Sequence, residues 1–363
     1  MKTFLSRHFA FLIIIAVIVS SASNWCALAQ DVEKAASTRV NVNFVVYSKK
    51  DAQVLTGLKR ANFAVFVDGV QKEIADFSSP DRPFAVALLV EFSKWPTPLF
   101  VKGGSDLDRT AFGVIEPAGR FLSQLIKLPD DQVSVVAYDM RPTPITDLTN
   151  DPKRVDKAID LLMRNYPAFR ETALFDSLEV VLNGGRMDTV VLDESRSSKA
   201  EYRGLDSVQG KRKAVILIAS GLDTLGKSDL KHARKIQNAG VPIYVIGTVD
   251  LFKAKLGNKV AGEKAKDFLP GKKDLEQAES QLRAIALETG GAYFPCATNG
   301  EVAGILHNIG AMLLGQYSLT FTPDQIRDGK EHQIEVKVDV NGDGVYDEQF
   351  VVQARTVYNA PKK

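Results

Sequence analysis

Four apolar runs of strand length, separated by segments of helical period, constrain this chain more than any other feature. Phe84 to Phe92, Val133 to Tyr138, Ala214 to Ala219 and Val241 to Val249 are nearly continuous in apolar residues, the pattern of strands covered on both faces. Between them, Val114, Ala118, Phe121, Leu122, Leu125 and Ile126 recur at three and four, with Pro117 predicting a kink or a late helix start. Further helices are expected over Val155 to Met163, from Thr172 to Gly184-Gly185, and from a Ser228 cap to Gly240. Two more follow Leu275, Ala278, Leu282 and Ile285, and Val302, Ile305, Ile309 and Met312, with Ala292 to Phe294 as a short strand between them. Repeated β-α units of this kind predict an α/β domain with a doubly wound parallel sheet.

The two ends carry a different period. Val40, Val42, Phe44 and Val46 alternate with polar residues, and Phe63 to Val67 and Val70 to Phe77 flank Asp68-Gly69, a two-residue hairpin signal. Tyr317 to Thr322, His332 to Val340 and Glu348 to Arg355 alternate in the same way. Neither group has enough strands to cover a hydrophobic face alone, so together they predict one discontinuous β-sandwich. The expected organisation is residues 30–81 and 316–363 forming the β domain around an α/β domain at 82–315. With 363 residues, 45% hydrophobic and 25% charged, the chain has the composition of ordinary globular protein, which excludes disorder and low-complexity readings.

Residues 1–29 read as a signal peptide. A basic start is followed by an unbroken apolar run from Phe9 to Val19 and by Ala27-Leu28-Ala29, the small-x-small triplet of a cleavage site. About 11 apolar residues are short of the ~20 that span a bilayer, so no membrane span is expected after cleavage and the mature chain is expected to be secreted or periplasmic. Without Lys2 and Arg7 the 46 bases fall to 44, equal to the 44 acids, so no global field favours nucleic acid. Cys26 leaves with the leader, and Cys296 alone cannot staple a fold; it reads as a buried small apolar residue. The four histidines form no HExxH spacing, which disfavours a zinc hydrolase.

Phe84 to Trp95, Thr172-Ala173-Leu174-Phe175-Asp176-Ser177-Leu178 and Val215 to Thr224, in this order, resemble the von Willebrand factor type A (VWA) domain. The outer segments, Leu55-Thr56-Gly57-Leu58 through Asn62-Phe63, Asp68-Gly69 and Phe77, together with the C-terminal strands, resemble the VWFA-related family described from acidobacteria. The resemblance implies a non-enzymatic interaction or adhesion module that binds a protein or surface polymer through a metal held at the carboxyl ends of the strands. In such domains the metal sits in D-x-S-x-S, a Thr before a later helix and an Asp after the fourth strand. Here Glu91 stands for the first Asp, Ser93 and Thr172 are kept, Trp95 replaces the second Ser and Ser220 replaces the later Asp, with Asp223 three residues on. Trp95 offers no oxygen and Lys94 adds positive charge, so the site is expected to be degenerate and poor for a hard Mg²⁺.

Two further strings carry chemistry of their own. Gly221-Leu222-Asp223-Thr224-Leu225-Gly226-Lys227-Ser228 satisfies G-x-x-x-x-G-K-[ST] after an apolar strand, so the alternative function is a nucleotide-binding or hydrolysing enzyme. Leu222, Thr224 and Leu225 are bulky for a loop whose amides must wrap phosphates. Asp339, Asn341, Asp343 and Asp347 carry oxygen side chains at positions 1, 3, 5 and 9 of a loop with Gly344 at position 6, the spacing of a Ca²⁺ loop, but position 12 is Phe350 rather than Glu. A polar hairpin tip explains the same residues. The lysine-rich stretch Lys253 to Lys273 reads as a solvated insertion.

Overall fold

The computed structural model describes residues 39–93, 112–127, 129–187, 200–225, 230–256, 272–324 and 327–362. The leader, Lys94, Trp95, Gly226, Lys227, Ser228 and residues 257–271 lie outside them. In chain order the strands and helices are β1 (Val40–Ser48), β2 (Phe63–Val67), β3 (Val70–Lys72), β4 (Ile74–Ser78), β5 (Phe84–Glu91), α1 (Phe112–Leu125), β6 (Gln132–Tyr138), β7 (Pro142–Thr149), α2 (Pro152–Arg164), α3 (Leu174–Asn183), β8 (Gly185–Met187) and β9 (Ala200–Tyr202). There follow β10 (Arg212–Ala219), α4 (Leu230–Asn238), β11 (Ile243–Gly247), α5 (Val249–Leu256), α6 (Lys272–Glu288), β12 (Tyr293–Pro295), α7 (Val302–Leu314), β13 (Tyr317–Phe321), β14 (Glu331–Val338), β15 (Phe350–Ala354) and β16 (Val357–Asn359).

The central sheet runs β12-β11-β10-β5-β6-β7, parallel throughout except for β7 at the edge. Every residue of β5 is buried, because the sheet is covered on both faces. Val86, Leu88 and Val90 pack with Val114, Ile159 and Ile309 of α1, α2 and α7. Ala85, Ala87 and Leu89 face Leu178, Ile236 and Leu282 of α3, α4 and α6. That two-sided burial is why the strand reads as an unbroken apolar run rather than an alternation. Pro117 lies inside α1, which spans residues 112–125, so the expected late start is not what the chain does; the helix continues past Pro117 with one backbone donor missing. Lys253 is not simply solvated: it lies in α5 and pairs with Asp250 and Glu279, each at 3.1 Å.

The terminal strands form two four-stranded sheets, β15-β1-β13-β4 and β16-β14-β2-β3, each drawing strands from both ends of the chain. Their inner faces share one core, in which Phe44 stacks on Tyr317 at 5.5 Å and meets the edge of Phe63 at 5.0 Å. Asp68 (φ 49°) and Gly69 (φ 79°) make the tight turn between β2 and β3. The run from Val70 to Phe77 is two strands rather than one, because β3 pairs with β2 while β4 pairs with β13 in the other sheet. The sandwich is pinned to the α/β unit by Arg355, 3% exposed, whose Nη1 donates to the Gln237 carbonyl at 3.0 Å and whose Nη2 donates to that of Asn41. Burial pulls its pKa down to about 10, while the end of α4 supplies the negative pole of a helix dipole.

Candidate functional site

In an open doubly wound sheet the natural crevice lies beyond the carboxyl ends of the strands where the winding reverses. Here β5 is followed on one side by β6 and β7 and on the other by β10, β11 and β12, so the reversal falls between β5 and β10. Glu91 ends β5 and Ser220 directly follows β10, which puts both at that point.

Glu91, Ser93, Thr172 and Ser220 are each at most 2% exposed. Ser93 Oγ donates to Glu91 Oε1 at 2.7 Å, and the Ser220 main-chain N–H donates to Glu91 Oε2 at 2.6 Å. Burial raises the Glu91 pKa, and the hydrogen bonds from Ser93 and Ser220 oppose the rise. The buried Tyr138 hydroxyl has its pKa pushed up by desolvation first and then by the charges of Glu91 and Asp223, although it makes no hydrogen bond of normal geometry among the described residues. Tyr138 is a site residue that the sequence did not single out, because it reads only as the last residue of an apolar strand.

Thr172 is tied to the loop after β10 on several atoms. Its Oγ1 donates to the Leu222 carbonyl at 2.6 Å, its N–H donates to Thr224 Oγ1 at 2.8 Å, and its carbonyl accepts the N–H groups of Thr224 and Leu225, both at 3.0 Å. Asp223 Oδ1 accepts the Leu174 N–H at 3.0 Å, supplying from another loop the cap that Ala173 cannot give to α3. The structure therefore brings Glu91, Ser93, Thr172, Ser220 and Asp223 together at one end of the sheet. Around them the loops carry exposed apolar side chains: Met140 in the β6–β7 turn, Tyr166 and Phe169 before Thr172, and Leu225 after Asp223. Ala173 N–H donates to the Asp139 carbonyl at 2.8 Å, which holds the first two of these loops against each other.

The phosphate-loop string has a local explanation. Gly221 adopts φ +79°, and a Cβ there would lie 2.4 Å from the Ala278 carbonyl oxygen, so glycine serves close approach to α6. Three amides among the described residues of the loop are also engaged, those of Thr224 and Leu225 by Thr172 and that of Leu222 by Ser220 Oγ at 3.3 Å.

The tip between β14 and β15 gathers Asp339, Asn341, Asp343 and Asp347 in one hairpin, and its side chains point into backbone donors. Asp339 accepts Gly342 N–H at 2.7 Å and Gly344 N–H at 2.8 Å, Asp343 accepts Val345 N–H at 2.8 Å, and Asp347 accepts Val340 N–H at 2.7 Å. Among the described residues no three His, Cys, Asp or Glu side chains converge as a metal-holding group. Cys296 is buried and unbridged, with its thiol pushed up to about 11 by burial, which leaves it unreactive near neutrality. No described helix is long and apolar enough to cross a membrane.

The family model of the von Willebrand factor type A domain matches residues 113–286. A comparison with curated proteins found no match. Similar solved structures include proximal thread matrix protein 1 from the mussel byssus with a zinc-occupied MIDAS motif (16% identity, TM-score 0.39, covering 72% of this chain and 50% of that one). The vWF domain of the type V pili tip protein Mfa5 from Porphyromonas gingivalis is similar at 14% identity and TM-score 0.38, over 63% of this chain and 94% of that one. A von Willebrand factor type A structure from Catenulispora acidiphila matches at 12% identity and TM-score 0.43, over 88% and 74%. This chain spans about half the length of the mussel protein.

Proposed function

We propose, on the premise that the α/β unit of this chain is a von Willebrand factor type A domain, that the protein is a non-enzymatic interaction module engaging a protein or surface polymer through the top of its central sheet. One observation carries this reading: a polar centre closed by its own hydrogen bonds lies beneath loops presenting Met140, Tyr166, Phe169 and Leu225, each more than 40% exposed. Large apolar side chains on loops that are fixed to one another offer contact area at low ordering cost.

The residues beneath do not fit the magnesium ion of a complete adhesion site. Mg²⁺ needs near-octahedral oxygens and enough negative charge to give up its waters. Both Glu91 oxygens already hold donors, Thr172 Oγ1 donates to a carbonyl, Ser220 replaces a carboxylate, and burial favours the neutral form of Glu91. The site is degenerate in this sense, and contact passes through the loop surface rather than through a metal. The nucleotide alternative is disfavoured because, among the described residues of that loop, the amides of Leu222, Thr224 and Leu225 are committed within the protein. The leader and its Ala27-Leu28-Ala29 site support export.

The test is capture from the native envelope and secreted fractions by immobilised wild type and by Tyr166→Ser/Phe169→Ser, each with and without EDTA. The expected result is a partner retained under EDTA and lost in the variant. A partner released by EDTA, or held equally by the variant, would overturn this reading.

A further inference from the structure

A polar cavity of about 270 Å³ opens between the sandwich and the α/β unit, at the end of the sheet opposite Glu91. Its walls come from the start of β10, the segment before β5, and strands β1, β4 and β13. Three cationic side chains line it, Arg82, Lys211 and Lys213, against one carboxylate, Asp76. Lys211 Nζ is already used, donating to the Asp130 carbonyl. The other two are not. Among the described residues neither Lys213 Nζ nor the Arg82 guanidinium makes a hydrogen bond or ion pair. The acid acting on Lys213, Asp206, lies beyond ion-pair distance. Burial pulls the Lys213 pKa below the ordinary lysine value, with Asp206 opposing.

Half-buried ammonium groups without partners are costly, and a protein ordinarily satisfies them from its own atoms. The neighbouring Arg212 shows this, since its guanidinium donates to the carbonyls of Arg82, Leu313 and Gln316. Half-buried Lys213 and exposed Arg82 stand around one space, and neither side chain has an acceptor carrying negative charge among the described residues. The cavity is equivalent to about nine waters at ~30 Å³ each and lies just below the ~300 Å³ of drug-sized sites, so the ligand is small.

We infer that this cavity binds a small oxyanion-bearing solute, with Lys213 and Arg82 pairing the anion. The oxyanion can be a phosphate or a carboxylate, and the experiment separates the two.

Calorimetric titration of the full chain with inorganic phosphate and, separately, with malonate, at matched ionic strength, reads the site directly. Saturable binding of at least one is expected, about tenfold weaker in Lys213→Met, as loss of one charge-assisted hydrogen bond implies. Lys213→Met keeps the aliphatic stem; should it fail to fold, Arg82→Gln, at an exposed side chain, gives the same reading. Preference for phosphate or for malonate identifies the class of anion. Absence of saturable heat with both probes, or equal affinity in wild type and the folded variants, would overturn the inference.

Discussion

Glu91 Oε2 accepts the main-chain N–H of Ser220 at 2.6 Å, so a single carboxylate joins the ends of β5 and β10 across the point where the winding reverses. Its other oxygen accepts Ser93 Oγ at 2.7 Å. The glutamate side chain is long enough to cross the crevice, and its partner there is the backbone amide of Ser220 itself. Glu91 and Ser220 therefore suit one another: one side chain reaches across, and the other residue leaves room and a donor.

Glu91→Ala is expected to lower stability by about 2–4 kcal/mol, because the Ser220 N–H and Ser93 hydroxyl lose their acceptor in a buried site and a void is left. Glu91→Gln keeps one acceptor and should cost less, about 1 kcal/mol near pH 4. Folding raises the Glu91 pKa, so the native state holds its proton more tightly than the unfolded chain, and wild-type stability falls as pH rises from about 4.3 through the raised value. Glutamine does not titrate, so its deficit should shrink with rising pH. Urea midpoints across this range check it, and a constant deficit would refute it.

No micromolar Mg²⁺ or Mn²⁺ binding is expected at the Glu91 site, and Thr172→Ala should leave calorimetric metal titrations unchanged. The same variant should lose about 1 kcal/mol of stability through the Thr172 Oγ1 bond to the Leu222 carbonyl. Micromolar affinity abolished by Thr172→Ala would show that a metal displaces these internal bonds.

The sequence made the central sheet legible because β5 and β10 are covered on both faces, and full burial writes itself as continuous apolar residues. Asp68-Gly69 was legible because few other pairs tolerate positive φ at both positions of a tight turn. The split at Glu73 was not, since alternation continues unchanged while the chain passes from one sheet to the other. At the site, the positions of Glu91, Ser93, Thr172, Ser220 and Asp223 could be read, but not their bonds. Whether a loop amide is free for phosphate or committed to Thr172 depends on a contact some fifty residues away in the chain. His332 was missed for the same reason, because its partner Asp68 is 264 residues distant.

His332 gives a pH dependence of the opposite origin. Its Nδ1 meets Asp68 Oδ2 at 2.7 Å, its Nε2 lies 3.1 Å from Asp328, and its ring stacks on Tyr358 at 5.1 Å. The Asp68 hydrogen bond raises the histidine pKa most, burial opposes, and Asp328 adds to the rise. Because the folded value exceeds the unfolded one, this contribution is fully present below about pH 6.5 and is lost as pH rises through the raised value. Asp68, lowered by the same bond, contributes above its unfolded pKa and loses that contribution in acid. Wild type should be more stable relative to His332→Gln at about pH 5.5 than at about pH 9. Denaturant midpoints at both values decide it, and a gap independent of pH would refute the assignment.

The tip between β14 and β15 should depend most on Asp339. Its carboxylate accepts two backbone amides, from Gly342 and Gly344, and its own N–H donates to the Asn62 carbonyl at 2.8 Å while Asn62 Nδ2 returns a bond to the Asp339 carbonyl at 2.7 Å. One residue thus shapes the turn and ties it to the segment before β2. Asp339 is only 8% exposed, so water cannot fully replace the lost acceptor. Asp339→Ala should destabilise the protein by about 1–3 kcal/mol in chelator-containing buffer, whereas Asp343→Ala, at an exposed position, should cost less. Thermal melts of both variants check the order. Repeating them in calcium reads the loop's other chemistry, because an ion bound only by the native hairpin raises the melting temperature by mass action. A calcium-dependent rise in wild type that Asp343→Ala abolishes would assign the loop an ion, and equal losses in the two variants would refute the central place given to Asp339.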